Sequence, residues 1–319
     1  MKVLITGATG LVGKAIVKEL HKKGVSVNYL TTSKEKIVAK DNYQGFYWNP
    51  SANEIDLKCF NKVTAIINLA GASISKRWTT TYKALVLDSR IDSLKTLYNG
   101  ILKSGTTSIT SLVSASAIGI YPNSLSLFYT EEEQLVDDSF LGDVVKSWEQ
   151  EVDAFANLDF AVAKIRIGLV LAKDGGALPE MAKPIKNYVG AAFGTGEQWQ
   201  SWVHIEDLAR MFVFVLNQKL NGVFNGVAPN PVINSRLTKE LAKVLKRPLL
   251  LPNIPEFAMK AILGEMSYIL YASQRVSSKQ IETEGFKFNY TSICAALEAL
   301  HGKEATEKDS MSSYCKEYV

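Results

Sequence analysis

The sequence predicts an α/β protein: a doubly wound parallel sheet with a smaller, mostly helical C-terminal lobe. Three observations predict it. The chain opens with a β-branched strand, Lys2-Val3-Leu4-Ile5-Thr6, that runs into a turn with glycines at 7, 10 and 13 and then an amphipathic helix. Strand candidates at 2–6, 25–31, 44–48, 63–69, 109–114 and 160–166 alternate with helix candidates at 11–23, 80–103 and 139–157, the pattern of parallel strands covered by helices. After about residue 168 the alternation gives way to glycine- and proline-broken helices.

Each element has a local reason. Gly7 permits the tight turn out of the first strand, Gly10 lets a pyrophosphate approach the backbone, and Gly13 lets the helix pack close to the strand. The turn residue Thr9 and the free N–H groups of Gly10, Leu11 and Val12 then face a phosphate at the helix start. The spacing is Gly-x-x-Gly-x-x-Gly, a Rossmann-type dinucleotide fingerprint lengthened by one residue. Val63-Thr64-Ala65-Ile66-Ile67-Asn68-Leu69 is apolar at nearly every position, as a strand covered on both faces should be. Beyond it, 177–188 reads as partly helical, 190–196 as glycine-rich loop and 205–217 as a helix with a strong apolar face. Further helices are expected near 235–246, 255–265, 277–284 and 291–301. We therefore expect a nucleotide-binding domain over 1–168, onto which about 198–228 packs back, and a substrate lobe over 169–301. The polar tail 302–319 is expected to fray.

Composition excludes several classes. In 319 residues, 47% hydrophobic and 21% charged content is that of a soluble globular protein. A net charge of +4 with scattered Lys and Arg gives no basic patch for nucleic acid. Cys59, Cys294 and Cys315 are far apart and odd in number, against a disulfide framework or a zinc site, and no metal is expected. No apolar run is long enough to span a bilayer, and the N-terminus lacks a signal-peptide pattern, so a cytoplasmic location is expected.

The strand ends should carry the chemistry. Asn68-Leu69-Ala70-Gly71 closes a buried strand at the carboxyl edge of the sheet, where small residues let the backbone pass under a ribose. The second strand ends Thr31-Thr32-Ser33-Lys34 without a carboxylate, which favours NADP(H) over NAD(H). Thr32 and Ser33 either meet the 2′-phosphate or simply cap the next helix. Arg77, in the loop after Gly71, suits a phosphate; Arg90 either does the same or pairs with Asp88 or Asp92. Arg166, at an apolar strand end, needs a partner or a ligand.

These segments together resemble the extended short-chain dehydrogenases/reductases. The match runs in order through Thr6–Gly13, Asn68–Gly71, Ser114-Ala115-Ser116-Ala117-Ile118-Gly119-Ile120-Tyr121, Arg166-Ile167-Gly168 and Trp202–Ala209. More closely, Asn68–Ile74, Arg77-Trp78-Thr79, Trp148-Glu149, Gly175–Leu178, Gly194–Gln198, Ala228–Val232 and Ser273-Gln274-Arg275-Val276 are similar to the atypical epimerase-like family. The resemblance covers about residues 1–290.

It implies a cofactor site that includes Ser114 and a catalytic serine at Ser116, followed by a tyrosine and a lysine four residues apart on the next helix. That pair is missing. Aligned on Trp148-Glu149, its positions hold Leu141 and Val145, and no tyrosine in the chain precedes a lysine by four. Tyr121 could reach the nicotinamide side instead, while Lys146 points about a third of a turn away from the lost position. Glu149 is expected to pair with Lys146 or pack beside Trp148. Gln198, Trp202 and His204 are expected near the substrate cleft, with Asp207 tying the lobes or favouring a helix N-terminus. The reading is thus an NADP(H)-dependent oxidoreductase or epimerase for a nucleotide sugar or other small carbonyl or alcohol. The alternative is an NADPH-binding sensor without turnover. Relatives imply dimerisation through 80–103 and 139–157; monomer and homodimer both stay open.

Overall fold

The structure, a computed structural model, describes residues 1–301, so the tail 302–319 lies outside the described residues. Its central sheet is built from β1 (Lys2–Thr6), β2 (Ser26–Thr31), β3 (Tyr43–Asn49), β4 (Ala65–Asn68), β5 (Ser111–Ala117), β6 (Ala161–Ile167) and β7 (Gly222–Gly226). The helices are α1 (Leu11–Lys22), α2 (Thr80–Ser104), α3 (Phe140–Asp153), α4 (Ala177–Lys186), α5 (Ile205–Gln218), α6 (Asn234–Val244), α7 (Glu256–Leu263), α8 (Tyr268–Tyr271), α9 (Lys279–Thr283) and α10 (Ile293–His301). The main strands are parallel in the order β3-β2-β1-β4-β5-β6-β7, with two-residue antiparallel strands added at β3. The α/β doubly wound sheet and the helical C-terminal region are as the sequence predicts. The order reverses at β1, which lies between β2 and β4, and this opens a crevice at their carboxyl ends.

β7 was not foreseen: two glycines in Gly222-Val223-Phe224-Asn225-Gly226 mask a strand that pairs with β6 over its whole length. The helix of 139–157 stops at Asp153 and continues as a 3-10 turn over Ala154–Asn157. α2 and α3 pack together, as do α1 and α5. The sheet core includes Val3, Ile5, Ile66, Val113, Ile165 and Phe212, all wholly buried. A second core joins Trp202 to Leu178, Leu237 and Leu297 in the C-terminal region. A third, around Tyr121, Tyr129, Val145 and Val276, lies where α3 meets the strand Arg275–Val276.

Segment 273–276 fastens the lobe. Ser273 Oγ donates to the Ser124 carbonyl and accepts from the Trp199 amide; Gln274 Nε2 donates to the Tyr121 carbonyl; Ser201 Oγ accepts from the Val276 amide. Each bond satisfies a backbone group that would otherwise be buried unpaired.

The glycine turn is sterically closed at two of its three glycines. Gly7 has φ +71°, and a Cβ there would lie 2.8 Å from the Leu69 carbonyl oxygen. A Cβ on Gly13 would lie 2.3 Å from the Gly7 oxygen and 2.7 Å from Ala8 Cα. At Gly10 it would meet only the Gly7 oxygen, at 3.3 Å. Gly13→Ala is therefore expected to destabilise the protein by about 1–3 kcal/mol in urea unfolding, and Gly10→Ala by well under ~1 kcal/mol.

Candidate functional site

The crevice at the end of β1 is laced by side chains. Thr6 Oγ1 donates to Asn68 Oδ1 at 2.7 Å and accepts from the amides of Leu69 and Ala70 at 3.0 and 3.1 Å. Asn68 Nδ2 donates to Ser114 Oγ at 3.0 Å. Three strand ends are thus held in register at the ligand edge. Asn68 and Ser114, expected as cofactor-contacting side chains, are wholly buried and engaged with protein. The crevice is left to the partly exposed backbone of Leu69, Ala70 and Gly71.

On the β1 side, Thr9 and Gly10 are exposed and Leu11 and Val12 half-buried at the start of α1. This helix start has no capping side chain and no acidic residue in its first turn, so its N–H groups keep their positive end toward the crevice. Leu11 packs against the Gly175-Gly176 turn from the other lobe. At the end of β2, Thr31 Oγ1 accepts from the Ser33 amide. Ser33 precedes the 3-10 turn Lys34–Lys36 without capping it, and among the described residues neither the Thr32 nor the Ser33 hydroxyl has a hydrogen-bond partner. The capping alternative therefore does not hold. Lys34 lies over the Tyr47 ring at 5.1 Å.

The face of α3 where a tyrosine and a lysine would stand is apolar. Leu141 lies against Gly119, and Val145 is buried in the third core. Lys146 is exposed, as its position on the helix requires. In place of a proton-transfer pair stands a buried ion-paired network. Arg166 makes a two-pronged contact with Glu149, Nε to Oε1 and Nη2 to Oε2, both at 2.9 Å. Ser116 Oγ donates to Glu149 Oε1 at 2.5 Å, and Lys164 lies 3.8 Å from Oε2. Arg166 Nη1 donates to the Tyr121 hydroxyl at 3.0 Å, and that hydroxyl donates to Asn225 Oδ1 at 2.7 Å. The Asn225 amide in turn donates to Glu131.

Burial pushes the Glu149 carboxyl up, but the hydrogen bonds and charge of Arg166, the Ser116 bond and Lys164 outweigh it and hold Glu149 below its ordinary value. Burial likewise works against the Arg166 cation, and Glu149 more than offsets it. For Tyr121 burial wins over Arg166 and raises the phenol. Tyr121 is fully buried, with its ring stacked on Tyr129. It is thus a structural member of the network, which corrects its placement on the nicotinamide side. Arg166 finds its partner in Glu149, which corrects its assignment to the cofactor. Glu149 pairs with neither Lys146 nor a helix neighbour. The signal was present in the strand: Lys164 and Arg166 alternate onto one face of β6 and both meet Glu149.

The three residues expected to line the cleft are interior. Gln198 Nε2 donates to the carbonyls of Phe193 and Leu270, and Trp202 Nε1 to that of Asn230. His204 stacks on Tyr290, and its Nδ1 accepts from the Glu206 amide to cap α5. Burial lowers its pKa, against the opposing charges of Glu206 and Asp207. Asp207 does tie segments together: it is wholly buried and accepts from the amides of Asn289 and Tyr290 and from Arg210. Arg77 is exposed, with its Nε beside Gly264. Lys83 and Glu265 form an ion pair between the same two segments. Among the described residues no group of His, Cys, Asp and Glu converges as a metal site, and no helix is long and apolar enough to cross a membrane.

Fold and crevice together define a dinucleotide-binding α/β protein of the extended type. Comparison with known proteins makes the assignment narrower. Residues 3–143 match the NAD dependent epimerase/dehydratase family and residues 254–300 a domain of unknown function. An epimerase family protein of Staphylococcus aureus (strain MRSA252) is 36% identical over 301 residues, covering 94% of this chain and 99% of that protein. The crystal structure of the human epimerase family protein SDR39U1 (isoform 2) with NADPH superposes with a TM-score of 0.82 at 26% identity, over 94% of this chain and 99% of that one. The nucleoside-diphosphate sugar epimerase of Corynebacterium glutamicum gives a TM-score of 0.75 at 28% identity, over 95% of this chain but 58% of its own length. The chain belongs to the NAD-dependent epimerase/dehydratase family, as an atypical extended short-chain dehydrogenase/reductase.

Arg166→Ala strands a buried carboxylate and is expected to cost about 3–5 kcal/mol in urea unfolding, whereas Glu149→Leu with Arg166→Met recovers most of that. Because Glu149 is held low in the fold, its contribution to stability is complete above the unfolded carboxyl pKa of about 4.3 and is lost as the pH falls through the folded value. Unfolding free energies measured down this range should fall more steeply for the wild type than for Glu149→Gln.

Proposed function

We propose that this protein binds NADP(H) in the crevice between β1 and β4 and acts as an oxidoreductase or epimerase-like enzyme on a small carbonyl or alcohol, including a nucleotide sugar. The observation that carries the reading is the uncapped, carboxylate-free start of α1 opening at Gly10, paired with a β2 end that offers two unpartnered hydroxyls and Lys34. NADPH in the human relative's structure supports the same choice. Gly10, Leu11 and Val12 would hold the pyrophosphate with backbone N–H groups, with Gly7 and Gly13 shaping the turn and Thr9 beside it. Leu69, Ala70 and Gly71 would pass under a ribose, and Thr32, Ser33 and Lys34 would meet the 2′-phosphate. Arg77 is placed to close over a bound anion. The bound nicotinamide supplies or accepts a hydride.

Ser116 has a defined polarity. Its proton is given to an ionised carboxylate, so its oxygen is left to accept. Ser116 is itself buried, 2% exposed, so contact with a ligand is part of the proposal, and the atom it would meet is a hydroxyl or amide N–H rather than a carbonyl oxygen. Glu149, fixed by Arg166, holds that orientation. A second reading, an NADPH-binding sensor without turnover, is favoured by Leu141 and Val145, neither of which can transfer a proton. A cytoplasmic setting, as a monomer or homodimer, belongs to the same proposal.

The test is turnover. Incubation with NADPH or NADP⁺ and a panel of carbonyls, alcohols and sugar nucleotides, followed by nicotinamide absorbance, should give oxidation or reduction with at least one class; tight binding without turnover on any would favour the sensor. Lys34→Glu should weaken NADPH binding about tenfold through charge repulsion while leaving NADH nearly unchanged.

A further inference from the structure

Arg90 sits in the middle of α2 with its guanidinium turned beneath the strand end that leads into the crevice. Nη1 donates to the carbonyls of Val86 at 2.8 Å and Ala72 at 3.2 Å. A Cβ on Gly71 would lie 3.1 Å from the guanidinium carbon. The plane lies over the Trp148 ring of α3 at 4.9 Å. Its contacts among the described residues are these carbonyls and the ring, with neither Asp88 nor Asp92 pairing with it, because residues two apart point to different sides of a helix. Nε is buried without a partner, and among the described residues Nη2 makes no hydrogen bond. Burial lowers the group only to about 10, so it stays a cation at neutral pH.

A half-sequestered cation without a carboxylate is costly unless something else meets it. Its neighbours say where that partner comes from. Leu141, Val145 and Trp148 stand at i, i+4 and i+7 and share one face of α3. Arg90 therefore stands against the turn that follows the empty lysine position. On its other side it touches Gly71 and Ala72, the backbone expected to pass under the cofactor.

We propose that Arg90 is a cofactor-binding residue that stands in for the absent lysine, presenting Nη2 to the ribose and phosphate of the nicotinamide half of the dinucleotide. The proposal rests on the NADP(H) reading and assigns a residue to one half of that ligand. A guanidinium fork suits it better than an ammonium, since Nη1 is already committed to two carbonyls and the remaining edge is fixed in direction.

The experiment titrates the full-length protein, stripped of nucleotide, with NADPH and with adenosine 2′,5′-bisphosphate, which lacks the nicotinamide half. Wild type should bind both. Arg90→Gln should lose about tenfold or more for NADPH, the loss of a charge-assisted hydrogen bond, and bind the bisphosphate within about twofold of wild type. Arg90→Lys keeps the charge without the fork and should fall between; it also serves as the variant to read if Arg90→Gln does not fold. Unchanged NADPH affinity, or an equal loss for both ligands, overturns the proposal. Wild type binding neither NADPH nor the bisphosphate would instead overturn the cofactor reading itself, before any variant is compared.

Discussion

The Glu149 carboxylate is the point on which this site turns. It takes two bonds from Arg166 and one from Ser116, with Lys164 behind it, in the interior between β5, β6 and α3. Two buried charges of this kind are tolerable only when well paired, and here the fork of a guanidinium meets both carboxylate oxygens, with Ser116 adding a third bond. The consequence reaches outward. Tyr121 is drawn in by Arg166, Asn225 by Tyr121, and β7 is thereby joined to the third core as well as to β6. The same carboxylate fixes the direction of the Ser116 proton.

Against this rewired half, the nucleotide half is conservative in its physics. Gly7 and Gly13 are closed by backbone contacts that no side chain could share, while at Gly10 a Cβ would meet only the Gly7 oxygen, at 3.3 Å. The Thr6–Asn68–Ser114 chain keeps three strand ends level at the carboxyl edge. The two halves follow separate demands. In one, backbone contacts close the glycine turn; in the other, Leu141 and Val145 are packed beside an ion-paired network.

Much of this was legible in the sequence. Apolar runs such as Ala65-Ile66-Ile67 mark buried strands because both faces are covered, and the glycine turn is set by local sterics. The missing tyrosine and lysine could be read directly as Leu141 and Val145. What could not be read depends on long-range pairing. Glu149 and Arg166 lie 17 residues apart on a helix and a strand, and only the packing of α3 on β6 brings them together. Gln198 and His204 are expected near the cleft, yet Gln198 Nε2 is spent on the carbonyls of Phe193 and Leu270 and His204 Nδ1 on the Glu206 amide. β7 was hidden because Gly222 and Gly226 weaken its strand signal. For Arg90, sequence leaves pairing with Asp88 or Asp92 open, and helix geometry closes it.

The central claim is that the crevice has kept its dinucleotide function while the catalytic pair was replaced. Fluorescence titration of the stripped protein with NADPH and NADH side by side tests it most directly. The account predicts saturable binding of both, with NADPH tighter by about tenfold or more, from the charge and hydroxyls at the end of β2. Equal affinities would contradict the phosphate reading of Thr32, Ser33 and Lys34, and no binding of either would contradict the account as a whole.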